Sequence, residues 1–180
     1  MDQKKSVSLF AEISNYSMDS TSTQAETLQK LFFNYLKNKK LRNTTERTAI
    51  CSTICRIKNP FTLEMIWQEL EDSKFHVSRA SVYNTMELLL DANIVVRHQF
   101  TSTIVQYELK CISEQYIHAV CTHCGTVRMI KNEKLNNMFS DYKIPKFTLE
   151  HFLLHFYGIC SKCKYRIKQE QTQINKKTKQ

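Results

Sequence analysis

Two Cys-x-x-Cys pairs, Cys121/Cys124 and Cys160/Cys163, constrain this chain more than any other feature. Each pair presents two thiolates from one tight knuckle, and two knuckles together complete the tetrahedral shell that zinc takes at ~2.3 Å. The only two glycines among 180 residues stand beside them, Gly125 directly after the first pair and Gly158 shortly before the second. A knuckle turn often needs backbone that glycine alone adopts cheaply, so this placement predicts that both pairs are built as knuckles. Between Cys124 and Cys160 lie 35 residues, more than the ~15–20 of a zinc ribbon. That interval has room for a strand, a helix and a returning strand. Two readings stand open: one closed four-cysteine zinc site, which would fold the module without catalysing anything, or two separate dithiols or a redox disulfide. No His-x-Glu precedes either pair, which argues against a zinc deaminase.

Composition narrows the setting. With 42% apolar residues the chain can fill a core. It has no apolar run near the ~18 residues of a membrane span, and its start, M-D-Q-K-K-S-V-S-L-F, lacks the pattern of a signal peptide. A soluble, cytoplasmic protein with no membrane partner is expected. In that reducing setting seven cysteines point to metal binding or buried thiols before disulfides. The net charge is +9, and the stretch 164–180 carries six basic groups against one acidic. Such a tail, K-Q-E-Q-T-Q-I-N-K-K-T-K-Q, has too little apolar surface to fold alone and would attract phosphate without regard to sequence.

Ahead of the cysteines the periodicity is helical. Residues 1–23 are Ser/Thr-rich without apolar repeats and read as a flexible arm. Leu28, Leu31, Phe32, Tyr35 and Leu36 mark one amphipathic helix. Thr44 or Thr45 caps a second, with Ile50, Cys51, Ile54 and Ile57 on its apolar face. Thr62 caps a third through Leu63, Ile66, Trp67 and Leu70. Ser78 caps a fourth, in which Val82, Met86, Leu89 and Leu90 face inward and Arg79, Ser81, Tyr83, Asn84 and Thr85 face outward. Two β-favouring runs, I-V-V-R-H-Q-F and I-V-Q-Y-E-L, flank T-S-T as a hairpin. Helices and hairpin in this order make a winged helix-turn-helix, whose last helix enters the major groove by its N-terminal end.

Past Cys111 the pattern changes to strand, strand, helix and strand, over Y-I-H-A-V-C, T-V-R-M-I, K-L-N-N-M-F-S-D-Y and F-T-L-E-H-F-L-L-H-F-Y. An α/β module of ~60 residues is small for independent stability, so a staple or partner subunit is expected. Cys51 and Cys55, four apart on a helix, read as small core hydrophobes. No nucleophile constellation or phosphate-binding glycine loop is present, and no enzyme activity is expected.

The stretch V-S-R-A-S-V-Y-N-T-M-E-L-L-L-D-A-N-I-V-V-R-H, with Q-Y-E-L, H-A-V-C-T-H-C-G and Y-G-I-C-S-K-C after it, resembles the ferric uptake regulator (Fur) family of bacterial metal-responsive repressors. The resemblance runs from about Leu28 to Cys163. It implies an α+β chain: a winged-helix DNA-binding domain over 24–110 and an α/β dimerisation and metal-binding domain over 111–166, with a basic flexible tail over 167–180. It implies structural zinc on Cys121, Cys124, Cys160 and Cys163, and a homodimer that represses at an A·T-rich palindrome of double-stranded DNA. Tyr83 matches a residue that packs on a thymine methyl, and Arg42 a basic residue that reaches the minor groove.

The regulatory metal site, for iron, manganese or zinc, departs from the family's pattern. Of the expected histidine-rich run only His118 is present, with Tyr116 where a second histidine would stand. Asn59 or Pro60 takes the place of the loop histidine; in a second metal site of the family, Phe152 takes the place of the histidine before Y-G-x-C, with His151 and His155 as neighbours. Glu108 matches the bridging carboxylate, so the resemblance carries over Glu108 and His118 as ligands, with His151, His155 and Cys111 as candidates to complete them. The alternative function is a zinc-thiol redox module whose cysteine pairs switch between metal-bound and oxidised states.

Overall fold

The computed structural model describes residues 21–101, 105–140, 142–149 and 152–177, in two compact units. The first unit takes the chain to His98 and again Gln106–Ser113; the second takes Gln99–Val105 and Glu114–Gln180. Most of the expected N-terminal arm, residues 1–20, lies outside the described residues, and helix is already present from Thr21.

In the first unit, α1 (Thr21–Asn38), α2 (Thr45–Ile54), α3 (Leu63–Asp72) and α4 (Arg79–Asp91) precede all but one residue each of β1 (Val95–Gln99) and β2 (Val105–Leu109). The expected caps form. Thr44 Oγ1 accepts from the Arg47 N–H at 3.2 Å, Thr62 Oγ1 from Met65 at 3.3 Å and Ser78 Oγ from Ser81 at 3.0 Å. Each satisfies a backbone donor that the helix cannot. A glycine-poor chain must end its helices differently. Lys40, Lys74 and Asn93 adopt left-handed backbone at φ 55°, 58° and 56°, and the next residues return to Leu36, Leu70 and Leu89 carbonyls at 2.9, 2.9 and 3.0 Å. That is the Schellman pattern, here closed without glycine at ~1–2 kcal/mol per non-glycine residue.

The helices bury Phe32, Leu36, Ile50, Ile54, Ile66, Met86 and Leu89 in one core, sealed by Ile94 and Val95. Strands β1 and β2 form a two-stranded sheet, and a single antiparallel bridge ties Phe61, just ahead of α3, to Tyr107 of β2. Helix pair and wing are thereby fixed to each other within the unit. A short helix not expected from sequence, α5 (Lys110–Ser113), follows β2. Its Lys110 N–H donates to the Ile94 carbonyl at 2.9 Å, and Cys111 and Ile112 pack on the same core. The boundary expected at 110/111 therefore falls at 113/114.

The second unit holds β3 (Tyr116–Cys121), β4 (Val127–Lys131), α6 (Glu133–Ser140), β5 (His155–Gly158) and α7 (Ser161–Lys177). The sheet order is β4-β3-β5, with β3 antiparallel to β4 and parallel to β5. Of the strand expected over 147–157, the described residues form strand only at His155–Gly158. The tail expected to lack structure is helical through Lys177. Lys, Gln, Glu and Arg are strong helix formers. Their backbone propensity explains a helix with little apolar surface: beyond Cys163, described side chains are exposed apart from half-buried Ile167.

Candidate metal centre and nucleic-acid interface

The parallel pairing of β3 with β5 explains the long cysteine interval. Parallel neighbours need a crossover of a dozen or more residues, and here β4, α6 and the returning chain supply it. Cys121 lies in register with Gly158, so both strands deliver a cysteine pair to one end of the sheet. There the four Sγ atoms of Cys121, Cys124, Cys160 and Cys163 lie within 4.8 Å of one another. Cys124 and Cys160 are 3.9 Å apart. Tetrahedral Zn–S bonds of ~2.3 Å require S···S of about 3.8 Å, so these four donors fit a closed zinc shell. The reading as two distant dithiols is thereby set aside.

The knuckles differ in construction. Gly125 has φ 71° and its N–H donates to the Cys121 carbonyl at 2.8 Å, as a tight turn demands. Gly158 does not adopt left-handed backbone, and a Cβ there would meet nothing within 4 Å. The expectation that both glycines shape knuckle turns is corrected on this point. Gly158 ends β5, where its carbonyl accepts the Thr122 N–H at 2.8 Å, and the second pair instead occupies the start of α7. Cys163 N–H donates to Cys160 Sγ at 3.5 Å, and Cys160 N–H to Cys121 Sγ at 3.3 Å.

These donors favour thiolate. The Cys160 N–H, then the Cys124 N–H, bring the Cys121 thiol down to about 6. The Thr126 hydroxyl lowers Cys124, whereas burial pushes Cys163 up to about 12. Metal-free Cys163 therefore keeps its proton at neutral pH and must lose it to bind zinc. Zinc uptake near pH ~7.5 is expected to release protons, and apparent affinity to rise with pH; calorimetry in buffers of different ionisation enthalpy reads this, and zero proton release would contradict coordination by Cys163.

In the first unit, the predicted DNA face of α4 is only partly free. Tyr83 is 57% exposed and Asn84 is exposed. Thr85, expected to face outward, is 1% exposed. It follows Val82 by three residues and precedes Leu89 by four, which puts it on the core stripe, so it is removed from the DNA-facing set. Arg79 donates through both Nη atoms to Glu64, the Nη2 bond at 2.9 Å, and its guanidinium stacks over Trp67 at 4.3 Å. Trp67 is itself anchored by its indole N–H to the Val77 carbonyl at 3.1 Å. Ser81 donates its hydroxyl to Glu46 at 3.0 Å. Arg42 is exposed in the loop before α2, its carbonyl accepting from the Arg47 guanidinium.

The candidate regulatory ligands are distributed over both units. In the first, Glu108 is 1% exposed and lies 3.0 Å from His98 Nε2, which Ser113 Oγ also approaches at 3.3 Å. Sequence reasoning passed over His98; the signal was its place on the buried side of β1. Cys111 accepts the Gln24 amide at 3.4 Å, and Cys51 and Cys55 are core thiols 3.9 Å apart. In the second unit, His118 is buried on β3 and His155 half-buried on β5. Phe152 packs on Phe139 at 5.8 Å between centroids. His151 lies outside the described residues.

The profile of the Ferric uptake regulator family matches residues 38–157. A ferric uptake regulation protein of Campylobacter upsaliensis is 26% identical over 148 residues, covering 79% of this chain and 93% of its own length. A peroxide-responsive repressor of Staphylococcus saprophyticus is 22% identical over 129 residues, covering 71% and 86%. The solved ferric uptake regulator of Helicobacter pylori has a TM-score of 0.61 at 19% identity, covering 78% of this chain and 93% of that one. That of Pseudomonas aeruginosa with manganese gives 0.61 at 22%, covering 72% and 97%. The two structures share the fold. Because the family profile spans two thirds of the sequence, from the end of α1 through α4 and the first cysteine knuckle to β5, the chain belongs to the ferric uptake regulator family.

Proposed function

We propose that the chain is a homodimeric repressor that reads an A·T-rich palindrome and answers to iron, manganese or zinc. The observation that carries this is Tyr83, an aromatic ring left largely in solvent on the N-terminal half of a Ser78-capped helix within a helix-turn-helix. Tyr83 contacts a base methyl, and Arg42, Ser81 and Asn84 contact the duplex around it. Dimerisation uses the second unit, which leaves Ile130, Met138, Phe147, Phe156, Tyr157 and Ile159 exposed. So much apolar surface on a small domain marks an association site. His118, buried on β3 of the second unit, serves as a regulatory ligand. Among the described residues no helix is long and apolar enough to cross a membrane.

Footprinting on the DNA upstream of its own coding region, with Fe(II), Mn(II) or Zn(II) and without, tests this reading. Two protected half-sites related by a dyad are expected. No sequence-dependent protection under any metal would refute it.

Arg79 contributes a phosphate contact, and Glu64 masks it in the free protein. Such an exposed ion pair contributes ~0–1 kcal/mol, so a DNA phosphate displaces the carboxylate easily. Arg79→Ala is expected to weaken binding to all duplexes alike and to lower the salt slope by ~0.9. Glu64→Gln is expected to strengthen binding by roughly 1.5- to 5-fold. An Arg79→Ala effect confined to one base pair, measured by titration of variant duplexes, would contradict the phosphate role.

The redox alternative keeps one observation in its favour: Cys124 is exposed beside Cys121, whose Sγ accepts the Cys160 N–H, a donor that favours its thiolate. Thiol titration after mild peroxide distinguishes the two, since a structural centre keeps its zinc.

A further inference from the structure

We propose that His155 pairs with His118 to bind the regulatory metal, in place of the histidines the family pattern would put at Tyr116 and Phe152. This deepens the metal-responsive reading above and rests on it. Four observations within the second unit carry it. His118 and His155 are register partners on the parallel strands β3 and β5, so their side chains leave the same face of the sheet. Their ring nitrogens approach within 4.8 Å. Two imidazole nitrogens at ~2.1 Å from one ion stand 3.0–4.2 Å apart, from cis to trans, so a small ring rotation closes the gap.

The surroundings suit a ligand pair. The rings meet edge to face at 5.7 Å, and Phe100 packs on both, at 5.5 Å from His118 and 5.1 Å from His155. An apolar wall of this kind fixes ring orientation and limits water at a metal. The positions the resemblance would use offer nothing comparable. Tyr116 has no nitrogen donor, and the Phe152 ring is engaged with Phe139.

The donor type indicates the ion. Imidazole suits Zn(II), Fe(II) and Ni(II), while Mn(II) prefers oxygen. A site built on two imidazoles therefore binds a borderline divalent ion ahead of manganese.

The test uses the full chain carrying one zinc, titrated with Co(II) as the probe and followed by its visible absorption. A second equivalent is expected to bind the wild type, more tightly than Mn(II) does. His155→Phe, which keeps an aromatic ring in the cluster, is expected to weaken Co(II) binding at least ~10- to 100-fold while the first zinc is retained. His76→Gln, on the other unit and exposed, should change nothing. Should His155→Phe misfold, proton NMR of the wild type replaces it: Co(II) must shift the ring signals of both His118 and His155. A wild type that takes up no second ion, a His155→Phe titration equal to wild type, or unshifted His155 signals would overturn the proposal. No DNA enters the measurement, so such failure would remove this metal site and leave the DNA-binding reading standing.

Discussion

Cys163→Ser is expected to lower zinc content from one per chain to near zero and to melt the second unit while the first stays folded. The second unit has a three-stranded sheet whose outer strands are largely exposed, and its cysteine cluster joins the end of β3 to the start of α7. Small zinc modules draw ~10–16 kcal/mol of apparent folding free energy from the metal, which far exceeds what one substitution usually costs. Cys163 is buried among the four clustered thiols, and serine offers a much poorer ligand. The first unit has its own core around Phe32, Ile50 and Met86, and the four clustered cysteines all lie in the second unit. Cys51→Ser supplies the contrast. Its thiol, pushed up by hydrogen bonding to Cys55 and by burial, is an inert filler of that core. A hydroxyl there costs ~1–3 kcal/mol and leaves zinc in place. Metal analysis with thermal melts followed by circular dichroism reads both. A Cys163→Ser protein with full zinc would remove the staple from this account.

Tyr83→Ala is expected to lose ~1–3 kcal/mol of discrimination at a single base-pair position, or about 5- to 150-fold. The ring is mostly in solvent and fills no core, so thermal stability should move by less than ~0.5 kcal/mol. Tyr83→Phe keeps the face that packs on a thymine methyl and should retain most of the preference. Competition among duplexes changed one position at a time distinguishes base reading from general attraction. Equal loss on every duplex would show that Tyr83 reads no base.

Local chemistry made the first unit legible. Thr44, Thr62 and Ser78 cap the helices expected of them, because capping depends on a side chain and a backbone N–H three residues away. Thr85 is polar yet buried, because helical spacing from Val82 and to Leu89 puts it on the core stripe. The cysteine cluster was legible from its spacing, with room for a strand, a helix and a returning strand, while the parallel register of β3 with β5 that closes it is a long-range feature. The pairing of His118 with His155 depends on the same long-range register, which no short window of sequence carries. The buried His98–Glu108 contact likewise joins β1 to β2 across the hairpin. Helix in the 161–177 segment follows from backbone propensity, which its lack of an apolar stripe concealed.

The central claim, a family member that recognises a DNA sequence under metal control, is tested most directly by fluorescence anisotropy with zinc-loaded protein. Its upstream DNA and a scrambled duplex are compared at physiological salt, with and without a second divalent ion. The account predicts binding to the upstream DNA at least ~10³-fold tighter than to the scrambled duplex when the ion is present, and a marked loss of that ratio when it is withdrawn. Equal affinity for both duplexes under every metal condition would contradict it.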